Sequence, residues 1–440
     1  MFTRINIWSE LSSDAQVALL ERPALLDDQA TREQASRIIS TVRCNGDTAL
    51  FDFARQFEGR ELAALKVSSE EFAEAESSLR IEAIDAIDTA IANVRKFHEP
   101  QIPAETDMEI SPGVRCERRL QAIESVGLYV PAGTAPLPSA AIMLAVPAAI
   151  AECPVRIMCT PADSNGRVNP ATLVAARRSG VTDVFKIGGA QAIAAMAYGT
   201  QTVPKVARIF GPGNSWVTAA KSIVASDPAG ASIDMPAGPS EVLVIADATA
   251  NPVFVAADLL SQAEHGGDSQ VVLIATNQEI ATASIAQVKE QVKTLPREAI
   301  ARSALGHSCV ILASDIEAAI DISNRYAPEH LILQIENPRK FLDRVHNAGS
   351  VFLGKWTPES VGDYCSGTNH VLPTYGNARS YSGLGVEQFM RWTTVQELTR
   401  DGLNSLAPTV IELAGLEGLD AHARAVQLRL ANPTTPGAAQ

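Results

Sequence analysis

The 440-residue chain is 46% hydrophobic and 20% charged, with a formal net charge of −14. That length exceeds one compact core and suggests two or three domains with room for a cleft between them. Its acidic balance, with no cluster of Lys or Arg, excludes a nucleic-acid surface, because phosphate binding needs concentrated positive charge. The most apolar run, AAIMLAVPAAIA (140–151), is broken by Pro147 and stopped by Glu152, too short for a bilayer. MFTRINIWSELSSD has no apolar stretch of the kind a secretory signal needs. Six cysteines, Cys44, Cys116, Cys153, Cys159, Cys309 and Cys365, form no CxxC pair and read as reduced thiols of a cytoplasmic protein.

In chain order, the first hundred residues are helical in pattern. ATREQASRIISTVRCNGDTALFDFARQF (30–57) repeats apolar residues at helical spacing and breaks at Cys44-Asn45-Gly46-Asp47. From SVGLYV (125–130) the character changes: strand-like runs there and at VRIMC (155–159) bracket a Pro/Gly loop and an apolar helix. VTDVFKIGG, KVARIFGPGN, EVLVIAD and QVVLIAT continue as strands, with AQAIAAMAYG, SWVTAAKSIVA and PVFVAADLLSQAEH as the helices between them. Such alternation predicts a doubly wound parallel sheet over about 125–275. SCVILAS, LILQI and GSVFLG repeat it more loosely, and the tail NPTTPGAAQ is expected to be mobile.

Two loops place glycines where a strand hands over to a helix: IGGAQAI (187–193) and FGPGNSW (210–216). A helix N-terminus there suits a phosphate, although neither loop is a GxGxxG fingerprint and both also serve as tight turns. Polar groups gather in four places. In LLSQAEHGGDSQ, Gln262 and His265 stand three apart on a helix that Gly266 would cap, either as a plain helix end or as half of a metal site. YAPEHLIL sets Glu329 beside His330 at the mouth of a strand, a packed histidine or an acid/base pair. ESVGDYCSGTNHVLPTYG holds Glu359, Asp363 and His370 in what reads as a polar loop, and LEGLDAHARAV carries Glu417 and His422 on an ordinary surface helix. Gln262, His265, Asp363 and His422 together would suit Zn²⁺ or a neighbouring divalent ion.

The ordered motifs GLYVPAGTAPLPS, FKIGGAQAIAAMAYGT, IFGPGNSWVTAAK, DMPAGPSEVLVIAD, LLSQAEHGGDSQ, NRYAPEHL and VGDYCSGTNHVLPTYG resemble the histidinol dehydrogenase family over nearly the whole chain. The resemblance implies an α/β fold of two doubly wound Rossmann-like domains, one inserted in the other as in aldehyde dehydrogenases, plus small N- and C-terminal helical segments. Its expected layout is an N-terminal segment (1–24), a main α/β domain carrying most of the active site (25–128 and 240–383), an inserted NAD-binding domain (129–239) and a C-terminal dimerisation segment (384–440). It further implies a cytoplasmic homodimer with one Zn²⁺ per subunit. Such an enzyme oxidises L-histidinol through L-histidinaldehyde to L-histidine at the expense of NAD, the last step of histidine biosynthesis. Carried over by motif, the zinc ligands are Gln262, His265, Asp363 and His422, and the catalytic pair is Glu329 and His330. Substrate contacts are Ser240, His330, His370 and Glu417 together with the metal ligands, and Tyr129, Gln191 and Asn214 are the NAD positions. The family pattern also assigns the segment holding Glu417 and His422 to the other subunit's site. Cys365 stands where relatives commonly carry alanine; a covalent thiohemiacetal is conceivable there, but the metal and the Glu/His pair already account for both oxidations.

Overall fold

The computed structural model describes residues 2–22, 29–132, 135–235 and 238–431. The tail 432–440 therefore lies outside the described residues. Strands, numbered β1 to β14 in chain order, fall into three sheets.

The alternation that begins near residue 125 produces a five-stranded parallel sheet. Its strands β4 (Ser125–Tyr129), β5 (Val155–Thr160), β6 (Asp183–Lys186), β7 (Arg208–Phe210) and β8 (Ser232–Ile233) lie in the order β6-β5-β4-β7-β8. The chain starts in the middle, works outward to β6 and then crosses back over β4 to β7. Connections beyond the carboxyl ends of β4 and β7 therefore run in opposite directions, which is where doubly wound sheets open a crevice. The run read as too short for a bilayer is the helix Pro138–Ile150, in which only Pro138 and Ala149 escape full burial. No helix among the described residues is long and apolar enough to cross a membrane.

The looser repeat expected downstream is a second sheet with the same winding. β9 (Glu241–Ala246), β10 (Gln270–Ala275), β11 (Cys309–Leu312), β12 (His330–Gln334) and β13 (Ser350–Leu353) are ordered β11-β10-β9-β12-β13, and β1 (Ile5–Ile7) adds to the outer edge of β11. Every residue of β9, β10 and β12 is buried, as near-continuous apolar runs require when helices cover both faces of a parallel sheet. Glu241 and His330 are the charged and titratable exceptions at the starts of β9 and β12, and the pairing of these strands sets His330 opposite Val242.

By contact the chain divides into two compact units, Met1–Gln101 with Ile123–Phe389, and Ile102–Ala122 with Met390–Gln440. Both parallel sheets belong to the first. The second holds an antiparallel sheet of β2 (Thr106–Ser111), β3 (Val114–Ala122) and β14 (Met390–Leu398), with the helices Arg400–Leu416 and Asp420–Ala431. The sequence reading placed no strands here: β2 alternates Met108 and Ile110 with Asp107 and Glu109, but the stripe is short and solvent-facing, and most of β14 is exposed.

Candidate active site

A cavity of about 610 Å³ in the first unit is lined by Asn214, Ser240, His265, Glu329, His330, Asp363 and His370 among others. All seven were singled out from sequence. The loop after β7 supplies Asn214, beyond the carboxyl end of its strand, whereas Ser240, Glu329 and His330 sit at the amino ends of β9 and β12.

Glu329 and His330 are aimed by an abrupt change of backbone direction. Helix Ile316–Tyr326 stops at Ala327, which adopts a left-handed conformation (φ 55°, ψ 69°) with its N–H donating to Ser323 O at 2.7 Å. Pro328 then prevents any continuation. Gly349 packs against this turn, since a Cβ there would come within 2.6 Å of Glu329 O. The Glu329 carboxylate accepts the Glu241 N–H at 2.8 Å, and His330 Nδ1 lies 3.0 Å from Glu241 O. A carbonyl can only accept, so Nδ1 donates in either charge state and Nε2 is the nitrogen that gains or loses a proton. Nε2 is buried without a hydrogen-bond partner and stands 3.6 Å from Asp363 Oδ1.

Charge is concentrated around this ring. Burial would lower the His330 pKa, but the carboxylates of Glu329, Glu359 and Asp363 outweigh it and hold it well above the ordinary histidine range. Burial pushes Glu329 up to about 8 against the opposing pull of His330. Asp363 is disfavoured by burial, yet His330 above all, by polar contact and charge, brings it below its usual value. His265 and His370 are both lowered by burial, so at neutral pH they are uncharged imidazoles. His370 Nδ1 donates to Asp363 O at 2.8 Å, which fixes its tautomer in the same manner as His330.

The Gln262/His265 stretch differs from expectation in one respect. Helix Pro252–Ala263 ends before His265 rather than at Gly266: Glu264 N–H still bonds Leu260 O, but His265 N–H turns to Gln262 O at 3.2 Å, and Gly266 lacks the left-handed φ of a cap glycine. That tightened turn brings Gln262 Nε2 to 2.7 Å from His265 Nδ1. Gln262 is fully buried and its Oε1 has no partner. An orphaned amide oxygen, a neutral imidazole and a carboxylate form a donor set that fits a borderline divalent ion such as Zn²⁺. Asp363 comes from a second departure: Glu359–Tyr364, read as loop, is a short helix, which puts Glu359 and Asp363 on one face. Ligand atoms of His330, Glu359 and Asp363 lie within 4.8 Å of one another, a grouping that differs from the expected one.

The three expected dinucleotide positions all fall beyond carboxyl ends of the β4–β8 sheet. Tyr129 ends β4, and its hydroxyl accepts the Gly189 N–H at 3.0 Å in the IGGAQ turn. Gln191 is buried in the first turn of helix Gly189–Tyr198, its Oε1 only 2.8 Å from where a Gly189 Cβ would stand. Asn214 caps helix Ser215–Ser226 by accepting Val217 N–H at 3.2 Å. Its loop is held from beneath: Gly211 (φ 119°) lies so close to Tyr129 O that a Cβ would approach it to 2.1 Å, and the buried Lys221–Asp234 pair grips both the N–H and the C=O of Gly211. Glu417 and His422 belong to the second unit, at the C-cap of Arg400–Leu416 and within Asp420–Ala431, and both are exposed. Cys365, partly buried, follows the short helix.

Comparison with known proteins bears directly on this arrangement. The description "Histidinol dehydrogenase" belongs to a family profile that matches residues 21–430. A histidinol dehydrogenase of Xylella fastidiosa is 53% identical over 97% of this chain and 99% of its own. One from Colwellia psychrerythraea is 48% identical over 98% and 99%. The chain belongs to the histidinol dehydrogenase family. A crystal structure of the Elizabethkingia anophelis histidinol dehydrogenase superposes with a TM-score of 0.92 at 45% identity, covering 98% of each chain.

Within this family frame, three groups around the site had been given no role from sequence. Glu359 is 1% exposed and neither carboxylate oxygen has a partner. Burial, foremost, drives its pKa well above the usual range, against the opposing pull of His330. Helical spacing to Asp363 was the available signal. Glu241 opens a fully buried strand, where a carboxylate is rare without a partner. That partner is Arg22, 219 positions away, and no local pattern could pair them.

Proposed function

We propose that this chain is a zinc- and NAD-dependent dehydrogenase that oxidises L-histidinol to L-histidine through L-histidinaldehyde, working as a cytoplasmic homodimer. The observation that carries the reading is the fixed His330 ring, its Nδ1 committed to Glu241 O and its Nε2 left to exchange a proton, in a cavity that also holds His265, Asp363 and His370. Gln262, His265 and Asp363, with the partner subunit's His422, would hold the zinc, which supplies a Lewis-acid anchor for the imidazole and amine nitrogens of histidinol. Bound beside Tyr129, Gln191 and Asn214, NAD⁺ supplies the hydride acceptor for each oxidation.

In the first oxidation His330 Nε2 takes the hydroxyl proton while the carbinol C–H bond gives up hydride. In the second, water adds to the aldehyde: ionised Glu329, its pKa raised to about 8 by burial, takes a proton from that water while His330 returns its proton to the carbonyl oxygen, and His330 then accepts a hydroxyl proton of the hydrate as hydride leaves again. Ser240, His370 and the partner subunit's Glu417 position the substrate, and Glu417 matches its cationic amine. Cys365 has no step to perform. Counting NADH formed per histidinol consumed, with and without a strong chelator, tests the reading. Two NADH and loss of turnover on zinc removal are expected, whereas a single NADH or chelator-insensitive turnover would overturn it.

A further inference from the structure

His330 does not orient itself. Both members of the catalytic pair are held by one residue, Glu241, through its backbone: the carbonyl faces His330 Nδ1 at 3.0 Å and the N–H reaches Glu329 Oε2 at 2.8 Å. The peptide groups on either side of Glu241 Cα therefore decide the tautomer of the base and the direction of the adjacent carboxylate. Strand pairing on both sides of β9 holds those peptides, and the Glu241 side chain, buried at the start of the strand, adds a carboxylate that must be met by donors.

Arg22 meets it. Its Nε lies 2.5 Å from Glu241 Oε1 and its Nη2 lies 2.9 Å from Oε2, a two-pronged contact that fixes the orientation of the carboxylate as well as its charge. Tyr375 N–H adds a bond of 2.7 Å to Oε1. The same guanidinium also donates to Tyr326 O at 2.8 Å and Ala327 O at 3.2 Å, and stacks over the Tyr326 ring at 3.9 Å. Those carbonyls end the helix that turns through left-handed Ala327 and Pro328 into Glu329 and His330. One cation thus ties down both partners of the Glu241 O···His330 hydrogen bond, the acceptor strand and the turn that delivers the ring.

We infer that Arg22 and Glu241 form a positioning pair for the catalytic dyad, with Arg22 as the clamp and the Glu241 backbone as the template. Without the guanidinium, the buried carboxylate loses two of its donors and rotates toward water or takes up a proton, and the Glu241 peptides turn with it. Neither residue lines the cavity. Removing the clamp should consequently lower kcat and leave the Michaelis constants and zinc content in place.

The inference rests on Glu329 and His330 being the acid/base pair, so its test includes them. Arg22→Ala and Arg22→Lys are compared with His330→Asn for kcat, for KM of histidinol and of NAD, and for zinc content. Arg22→Ala should lose about 10- to 100-fold in kcat, the scale on which misplacing a catalytic group by about 1 Å acts. Both KM values should stay within about twofold. Arg22→Lys keeps the charge but cannot serve two carboxylate oxygens and two carbonyls at once, so it should recover part of kcat. Should Arg22→Ala not accumulate as folded protein, Arg22→Lys decides alone by its kcat. Wild-type kcat in the folded Arg22 variants, alongside an inactive His330→Asn, overturns the positioning role only. An active His330→Asn overturns the dyad itself.

Discussion

At His330 a single hydrogen atom separates structural from catalytic use. A ring buried among the carboxylates of Glu329, Glu359 and Asp363 could satisfy both nitrogens and act as a packed cation. The Glu241 carbonyl commits Nδ1 as donor in either charge state, and Nε2, without a hydrogen-bond partner, is the nitrogen at which a proton can come and go. His265 is arranged in the opposite way, with Nδ1 facing the Gln262 amide at 2.7 Å in a pair whose remaining oxygen is orphaned. The two histidines should therefore fail differently. His330→Asn is expected to lower kcat by about 10³-fold, within the range for removing a general base, with zinc still bound. His265→Asn should lose zinc and turnover together. Metal analysis beside steady-state rates checks both, and equal zinc loss in the two variants would mean that the roles are misassigned.

At the scale of the element, Asn214 shows how one position serves the fold and the ligand together. It caps helix Ser215–Ser226 while facing the cavity from beyond β7. Aspartate caps a helix as well as asparagine, but it would set a negative charge where a dinucleotide phosphate should meet the helix N-terminus. Asn214→Asp should keep the melting temperature and raise KM for NAD about tenfold, or about 1.4 kcal/mol; an unchanged KM would reduce Asn214 to a cap. The same elements explain what sequence could reveal. EVLVIAD, QVVLIAT and LILQI announce buried parallel strands because burial on both faces writes an unbroken apolar run. The Glu329–His330 junction was legible for a related reason, as a polar pair directly ahead of such a run. Arg22 and Glu241 were not, because their relation is made by tertiary approach. Helix ends were missed by a residue or two, as at His265, where a tightened turn replaced the expected glycine cap. The β2-β3-β14 sheet was not legible because its apolar alternation, Met108 and Ile110 in β2 and Val114, Cys116 and Leu120 in β3, is short and interrupted by many charged residues.

Across the first unit, one winding is used twice and read from opposite edges. The β6-β5-β4-β7-β8 and β11-β10-β9-β12-β13 orders are the same permutation, yet Asn214 lies beyond a carboxyl end and Glu329 and His330 lie at an amino end. A cavity shared between such edges brings a phosphate-favouring helix terminus to one side and a backbone-held acid/base pair to the other. The shell proposed for zinc still needs a donor beyond Gln262, His265 and Asp363, and His422 is exposed on a separate compact unit. If the partner subunit's His422 completes the shell, a chain lacking His265 and a chain lacking His422 are both inactive as homodimers but can complement. In their heterodimer one site carries both lesions and the other carries neither. Coexpressing His265→Asn and His422→Asn chains with random pairing should then restore about a quarter of wild-type turnover, since half the dimers are mixed and each has one intact site. Were His422 to serve its own chain, every site in every pairing would carry one lesion, and the mixture would stay as inactive as its components.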